Sequence, residues 1–188
     1  SDVYKRQELA RLIFHELAHQ VVYVPGDSRF NESFASAVEE AGVEMWLLEH
    51  GNPAMREAYE RYSTRRKDFL HLLLKYRREL ERTYASPIGD EDKRIAKARL
   101  FLALKDEYQV LKANWGGYAG YDRFFAEPLS NAHLASIATY NDYVPAFRTL
   151  LRQEKDFRRF YRQVTKLSKL DKSDRTAALK VLDATVPV

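Results

Sequence analysis

Apolar residues recur at every third or fourth position through most of this chain, and this spacing constrains the fold more than any other feature. The helix predicted over 29–49 shows the pattern with five residues that share one face: Phe34, Val38, Ala41, Met45 and Leu48. Turn signals rich in Pro, Gly, Asn and Asp separate such stretches. The sequence therefore predicts a mainly α fold with little or no β structure, the one candidate strand being 21–24.

The turn signals divide the chain into successive helices. These are predicted over 7–21, 29–49, 53–84, 131–140, 145–168 and 173–182. Another long helix follows the loop 86–90, and two long helices with a short link predict an antiparallel helical hairpin over 53–114. Gly51 is expected to end the second helix in the left-handed conformation, and Ser173 is expected to cap the last helix.

The length of the chain, 188 residues, fits a single domain over 1–188. We expect three regions within it: motif-bearing helices over 8–50, the hairpin over 53–114, and helices over 115–188 that complete the site. Hydrophobic residues make up 45% of the chain, which supports a real core and excludes global disorder. Because the chain starts without Met, we expect it to be the C-terminal portion of a longer protein.

Composition excludes several classes of function. With no cysteine, the chain can have no disulfide, thiolate nucleophile or cysteine metal ligand. The formal net charge is +4, and basic runs such as 65–67 have acidic neighbours, which indicates solvated helix faces rather than a nucleic-acid surface. No apolar run approaches the ~18 residues of a membrane span, and no secretory signal is recognisable. A periplasmic or membrane-anchored location stays open if an upstream segment carries a signal.

The segment with the most chemical information is HELAHQ, residues 15–20. On a helix, His15 and His19 lie one turn apart on the same face, so both imidazoles can bind one zinc ion at ~2.0–2.1 Å. Glu16 lies beside the open coordination position, where its carboxylate can take a proton from water held by the metal. Chance alone produces this pattern in roughly one such chain in a hundred.

A catalytic zinc ion needs a third protein ligand and an open fourth position. The stretch NESFA, residues 31–35, begins the next helix, and the turn at Pro25 and Gly26 lets that helix fold back so that Glu32 faces the two imidazoles. HExxH followed by NExxA resembles the gluzincin zinc peptidases, and 31–39 is similar to a stretch of aminopeptidase-N-like enzymes. The chain resembles a bacterial family of predicted aminopeptidases through three motifs taken together: HELAHQ, YVPGDSRFNESFA and NAHLASIATYNDYVPAF. This resemblance extends from Glu8 to about Phe147.

The resemblance implies a zincin-like helical core that holds one Zn²⁺ ion through His15, His19 and Glu32, with Glu16 as the general base. The gap from His19 to Glu32 is shorter than in aminopeptidase N. The Gly-x-Met-Glu-Asn segment by which those enzymes grip a substrate's amino terminus is absent, so exopeptidase specificity stays open. Glu39, two turns after Glu32, is interpreted either as a carboxylate that orients a ligating imidazole or as a solvated helix carboxylate.

A peptidase of this class also needs a hydrogen-bond donor for the oxyanion of its tetrahedral intermediate. Tyr140 is the first candidate, because it ends a helix and starts a turn within the resembling segment; Tyr143, Tyr121 and His133 are the alternatives. A core tyrosine with its hydroxyl at the rim is the competing interpretation of Tyr140.

These residues predict a zinc-dependent metallopeptidase that acts on a peptide substrate. One alternative is a non-catalytic helical interaction module in which the motif is inactive or fortuitous. The other is a zinc hydrolase of non-peptide substrates. The zinc content of the purified protein discriminates the enzyme from the interaction module, whereas cleavage of a mixed peptide library addresses the substrate.

Overall fold

The computed structural model describes residues 2–184, with the side chains of 2–4 and 138–140 outside that description. Every regular element in this range is a helix, which confirms the prediction of a mainly α fold. The α helices are α1 (Asp2–Val21), α2 (Ser28–His50), α3 (Pro53–Ala85), α4 (Asp90–Asn114), α5 (Asn131–Asn141), α6 (Val144–Glu154), α7 (Phe157–Ser168) and α8 (Lys172–Ala184), and a 3-10 helix covers Asp122–Phe125. None of the helices in 2–184 has the length and apolar character that a membrane span requires.

The candidate strand over 21–24 does not form. Helix α1 ends at Val21, and residues 22–24 have no regular structure. Instead of pairing with another strand, Val24 pairs with a side chain: its N–H donates to Oδ1 of Asn31 and its carbonyl accepts from Nδ2, both at 2.8 Å. The amide of Asn31 thus satisfies both backbone groups of Val24 and fixes the turn between α1 and α2.

The predicted left-handed cap at Gly51 is wrong. Gly51 is extended, with φ −83° and ψ 142°, and its N–H donates to the carbonyl of Leu47 at 3.0 Å. A Cβ atom at this position would run into that same carbonyl. The close approach to Leu47, rather than a positive φ, accounts for the glycine. The side chain of Asn52 caps α3 by accepting a hydrogen bond from the N–H of Met55 at 2.9 Å.

The single helix predicted over 145–168 is also wrong, because the chain breaks into α6 and α7. Lys155 adopts the left-handed conformation with φ 57°, and the side chain of Asp156 accepts from the N–H of Arg159 at 2.9 Å to cap α7. The last helix begins earlier than predicted. Asp171, not Ser173, accepts a hydrogen bond from the backbone at the start of α8.

The chain divides into two compact units, which are described separately. Unit 1 comprises Ser1–Tyr59 and Ala138–Val188, and unit 2 comprises Glu60–Ile137. In unit 1, α1 packs on α2, α6 packs on both α2 and α8, and α7 packs on α6 and α8. Phe30 and Phe34 of α2 meet Phe147 of α6 with ring centroids 5.2 and 5.6 Å apart, and all three rings are fully buried.

A buried ion pair ties α8 to the start of α2. Asp27 caps α2 by accepting from the N–H of Phe30 at 3.2 Å. Its other oxygen, Oδ2, accepts from Nε and Nη2 of Arg175 at 3.0 and 2.8 Å, and both side chains are about 95% shielded from solvent, with 6% and 5% exposed. The guanidinium also donates to the carbonyl of Leu170 at 2.7 Å. The helix that carries Glu32 is therefore fixed at its first residues.

Unit 2 contains the antiparallel pairing of α3 with α4. Lys75 and Tyr76 of α3 contact Glu107, whereas Asp68, earlier in α3, contacts Trp115, later in the chain. The contacts run in opposite order along the two helices, as a helical hairpin requires. The core of this unit is aromatic and aliphatic, and its buried residues are Phe69, Leu72, Leu73, Tyr76, Leu80, Leu104, Tyr108 and Leu134.

Candidate metal centre

Helix α1 presents the two histidines of the HExxH motif on one face. The rings of His15 and His19 lie edge to face with centroids 4.9 Å apart, as two residues one turn apart allow. Both side chains are 17% exposed, so each ring is partly shielded and still accessible. Between them in the sequence, Ala18 is buried in the core of unit 1 and anchors this part of α1.

Helix α2 brings Glu32 to these rings. Nε2 of His15 lies 3.3 Å from Oε2 of Glu32, and Nε2 of His19 lies 3.8 Å from Oε1. One ligand atom from each of the three residues falls within 4.8 Å of the others. The structure therefore brings together the three residues that the sequence identifies as metal ligands.

This donor set fits a zinc ion in chemistry and in spacing. Two imidazole nitrogens and one carboxylate are a ligand set found at catalytic zinc, where a fourth position stays open. Two ligands bound tetrahedrally at ~2.1 Å lie about 3.4 Å apart, close to the separations of Glu32 from His15 and His19. Other clusters of three such groups do not occur in the part of the chain that the structure describes.

Gly42 lets α1 and α2, the helices that carry the candidate ligands, approach closely. A Cβ atom at position 42 would lie 2.7 Å from the ring of Phe14, nearer than real Cβ atoms approach such atoms. Phe14 precedes His15 on α1, and Gly42 follows Glu39 by one turn on α2. The absent side chain at position 42 therefore sets how closely α1 approaches α2 beside the candidate centre.

Glu39 lies directly against one of the histidines. Its Oε2 is 3.2 Å from Nδ1 of His15, and the residue is only 8% exposed. Of the two interpretations from the sequence, the structure therefore excludes a solvated carboxylate. The hydrogen bond to Glu39 raises the pKa of His15 above its usual value, and burial of the ring opposes that rise.

The structure describes the remaining candidate residues to different extents. Glu16 is exposed and has no hydrogen bond or ion pair within the described residues, so its carboxylate is available to a substrate or to water. Tyr140 belongs to α5, but its side chain lies outside the described residues. Tyr143 is in unit 1, where its N–H donates to the hydroxyl of Ser33 at 3.2 Å. Its ring faces the guanidinium of Arg29 at 5.9 Å.

The two alternatives in unit 2 have contacts within that unit. Tyr121 stacks on Phe69 with ring centroids 4.1 Å apart. Nδ1 of His133 accepts a hydrogen bond from the backbone N–H of Ser130 at 3.1 Å. Both candidates therefore have packing or turn contacts within unit 2, and a role at the oxyanion stays a prediction for each.

Sequence reasoning missed two residues beside the centre. Arg11 contacts Glu39, with Nε of the guanidinium 2.6 Å from Oε1 of the carboxylate. Its position one turn before His15 on the same helix face was the available signal. Tyr23, which is 63% exposed, lies roughly perpendicular to the ring of His19, with ring centroids 6.3 Å apart. It follows the end of α1, and no sequence pattern marked it.

Comparison with known proteins gives one match. The sequence model of the family described as "Putative aminopeptidase" matches residues 3–179. No match was found among curated proteins or among solved structures.

Proposed function

We propose that this chain, which belongs to the family described as "Putative aminopeptidase", is a zinc-dependent metallopeptidase of the gluzincin type. The observation that carries this proposal is the convergence of His15, His19 and Glu32 within 4.8 Å, beside the exposed Glu16. The family match supports peptidase activity, and the ligand chemistry supports the metal. The similarity to aminopeptidase N is part of the same proposal.

In this proposal His15, His19 and Glu32 hold the zinc ion. When bound, zinc supplies a Lewis acid that polarises a carbonyl group and acidifies water. Glu16 follows His15 in α1 and is exposed, so its carboxylate can accept a proton from water and pass it to the leaving amine. Tyr140 stays a prediction from the sequence as the donor to the oxyanion.

The experiment compares a variant of the proposed general base, Glu16, with a variant of a proposed zinc ligand, Glu32. Glu16→Gln should bind zinc as the parent does and lose about 10²–10⁴ in turnover of a mixed peptide library, read by mass spectrometry. Glu32→Ala should weaken zinc affinity, because a ligand is lost, yet the chain should stay folded on its apolar core. Zinc titration and a thermal melt on each variant measure the two effects.

A matched control lies on α1 itself. Glu8 is an exposed carboxylate away from the motif, and Glu8→Gln should keep both zinc affinity and turnover. Parental turnover in Glu16→Gln would contradict its role as general base. A parent protein that binds no zinc would contradict the proposed function as a whole, and unchanged zinc affinity in Glu32→Ala would place the third ligand elsewhere.

A further inference from the structure

Arg11 and His15 share one carboxylate between them. Nε and Nη2 of Arg11 both lie 2.6 Å from Oε1 of Glu39, whereas Nδ1 of His15 lies 3.2 Å from Oε2. Each oxygen of Glu39 therefore faces a different group. The contact is partly shielded from water, since the side chains of Arg11 and Glu39 are 22% and 10% exposed.

We propose that Arg11 is a positioning residue for the candidate centre, acting on His15 through Glu39. The guanidinium fixes the rotamer of Glu39, and the fixed carboxylate sets the orientation and tautomer of the His15 ring. A proton held on Nδ1 leaves the lone pair of the ring on Nε2, the atom that faces Glu32. The proposal depends on the proposed zinc function in one respect only, namely that the ion bound by Nε2 of His15 is zinc.

The physical reason lies in the burial of Glu39. An ionised carboxylate removed from water is costly without a charged partner, and Arg11 is a charged partner at hydrogen-bond distance. Charge-assisted hydrogen bonds are short and directional, so they restrict the carboxylate more than a neutral partner would. Removal of the guanidinium takes away this restraint on Glu39, so the acceptor that faces the ring of His15 is held less firmly.

The second histidine provides an internal reference. Nδ1 of His19 is buried and has no hydrogen-bond partner among the described residues. Its ring is held by packing against His15 and Tyr23 instead. The effect of Arg11 should therefore fall on His15 and leave the tautomer of His19 unchanged.

The test is nitrogen NMR of the metal-free protein under conditions in which the imidazoles are neutral. Every spectrum is recorded in a Glu32→Ala background, which removes the carboxylate that faces Nε2 of His15 and would otherwise compete for the proton. In the parent, His15 should carry its proton on Nδ1. In Arg11→Leu the His15 signals should move towards a mixture of both tautomers, while those of His19 stay in place. Arg11→Lys keeps the charge and should restore the parental pattern in part. In competition with a chelator, the zinc dissociation constant of Arg11→Leu should rise by about 10–100-fold.

Arg148 provides the matched control. Its Nη1 lies 2.6 Å from Oε2 of Glu40, the residue next to Glu39 on α2, and that pair involves no imidazole. Arg148→Leu should therefore keep the parental His15 spectrum and zinc affinity, even where its melting temperature falls.

Two results would overturn the role of Arg11. One is a parental His15 spectrum in Arg11→Leu, and the other is the same spectral change in Arg148→Leu, since that change would reflect general loosening. Failure of the parent to bind zinc would contradict the proposed function alone, because the spectrum of the metal-free protein still decides the role of Arg11.

Discussion

The two units differ in what their interiors contain. The buried polar or charged residues that the structure describes all belong to unit 1: Gln7, Asp27, Asn31, Ser33, Ser36, Glu39, Thr149 and Arg175. In unit 2 the described buried residues are aliphatic or aromatic, and the ion pair of Lys75 with Glu107 lies at the exposed rim. Because a buried polar group is costly unless it is hydrogen-bonded, a polar interior tolerates few arrangements of its helices. Unit 1, which holds the candidate centre, has the more narrowly specified interior.

The largest effect should come from breaking a buried charge pair of unit 1. Arg175→Met removes the charged partner of Asp27 while it keeps an apolar side chain of similar length. We expect the free energy of unfolding to fall by about 3–5 kcal/mol, because an uncompensated carboxylate is left in the interior. Denaturant titration measures this loss.

The control for that change is an arginine of unit 2. Arg77 pairs with the exposed Glu81 one turn away on α3, and Arg77→Met should cost less than about 1 kcal/mol. Equal losses for the two arginine variants would remove the distinction between the units.

The next effect concerns apolar packing in unit 2. Leu104 of α4 is fully buried, and Leu104→Ala should lower the free energy of unfolding by about 2–5 kcal/mol through lost burial and the cavity left behind. Leu102 on the same helix is 63% exposed, and Leu102→Ala should change stability by no more than about 0.5 kcal/mol. Indistinguishable denaturation curves for these variants would contradict a well-packed core in unit 2.

The smallest effect should come from the rim of unit 2. Glu107 accepts from Lys75 and from Tyr76, and the hydrogen bond from Lys75 holds the pKa of Glu107 below its usual value. Glu107→Gln should cost less than about 1 kcal/mol at neutral pH, because both ionic partners are largely exposed.

The stability difference between the parent and Glu107→Gln should depend on pH, because the pKa of Glu107 is lowered in the folded protein. A lowered carboxylate pKa contributes stability above the unfolded pKa of ~4.3, and the contribution is lost as pH falls through the folded pKa. Parent and variant should therefore converge in acid, as unfolding curves across that range can measure. A difference that grew towards low pH would be inconsistent with this account.

Local patterns in the sequence were sufficient to predict most of the fold. Helical periodicity and turn residues predicted the mainly α structure and the hairpin, because both depend on residues close together in the chain. The break at Lys155 was missed, because lysine gives no signal for a left-handed conformation, although Asp156 was a recognisable cap. The match over residues 3–179 confirms the resemblance to a family of predicted aminopeptidases.

The candidate centre was predictable only in part, for a similar reason. The spacing of His15 and His19 is local, and the turn at Pro25 and Gly26 predicted that Glu32 returns to them. By contrast, the contact of Arg11 with Glu39 joins residues 28 positions apart, and that of Arg175 with Asp27 joins residues 148 apart. No periodicity encodes such pairs. The choice of Tyr140 also lacks a local signal, because twelve tyrosines offer the same hydroxyl.

Gly42 lies at the contact between α1 and α2, the helices that carry the three candidate ligands. Zinc sites hold their ligand distances to within ~0.2 Å, whereas a methyl group at position 42 would overlap Phe14, whose ring lies 2.7 Å from where that Cβ would be. A residue outside the candidate centre thus affects the spacing of the candidate ligands. A side chain at position 42 would have to displace the Phe14 ring or push α1 away, and a shift of α1 would carry His15 and His19 with it.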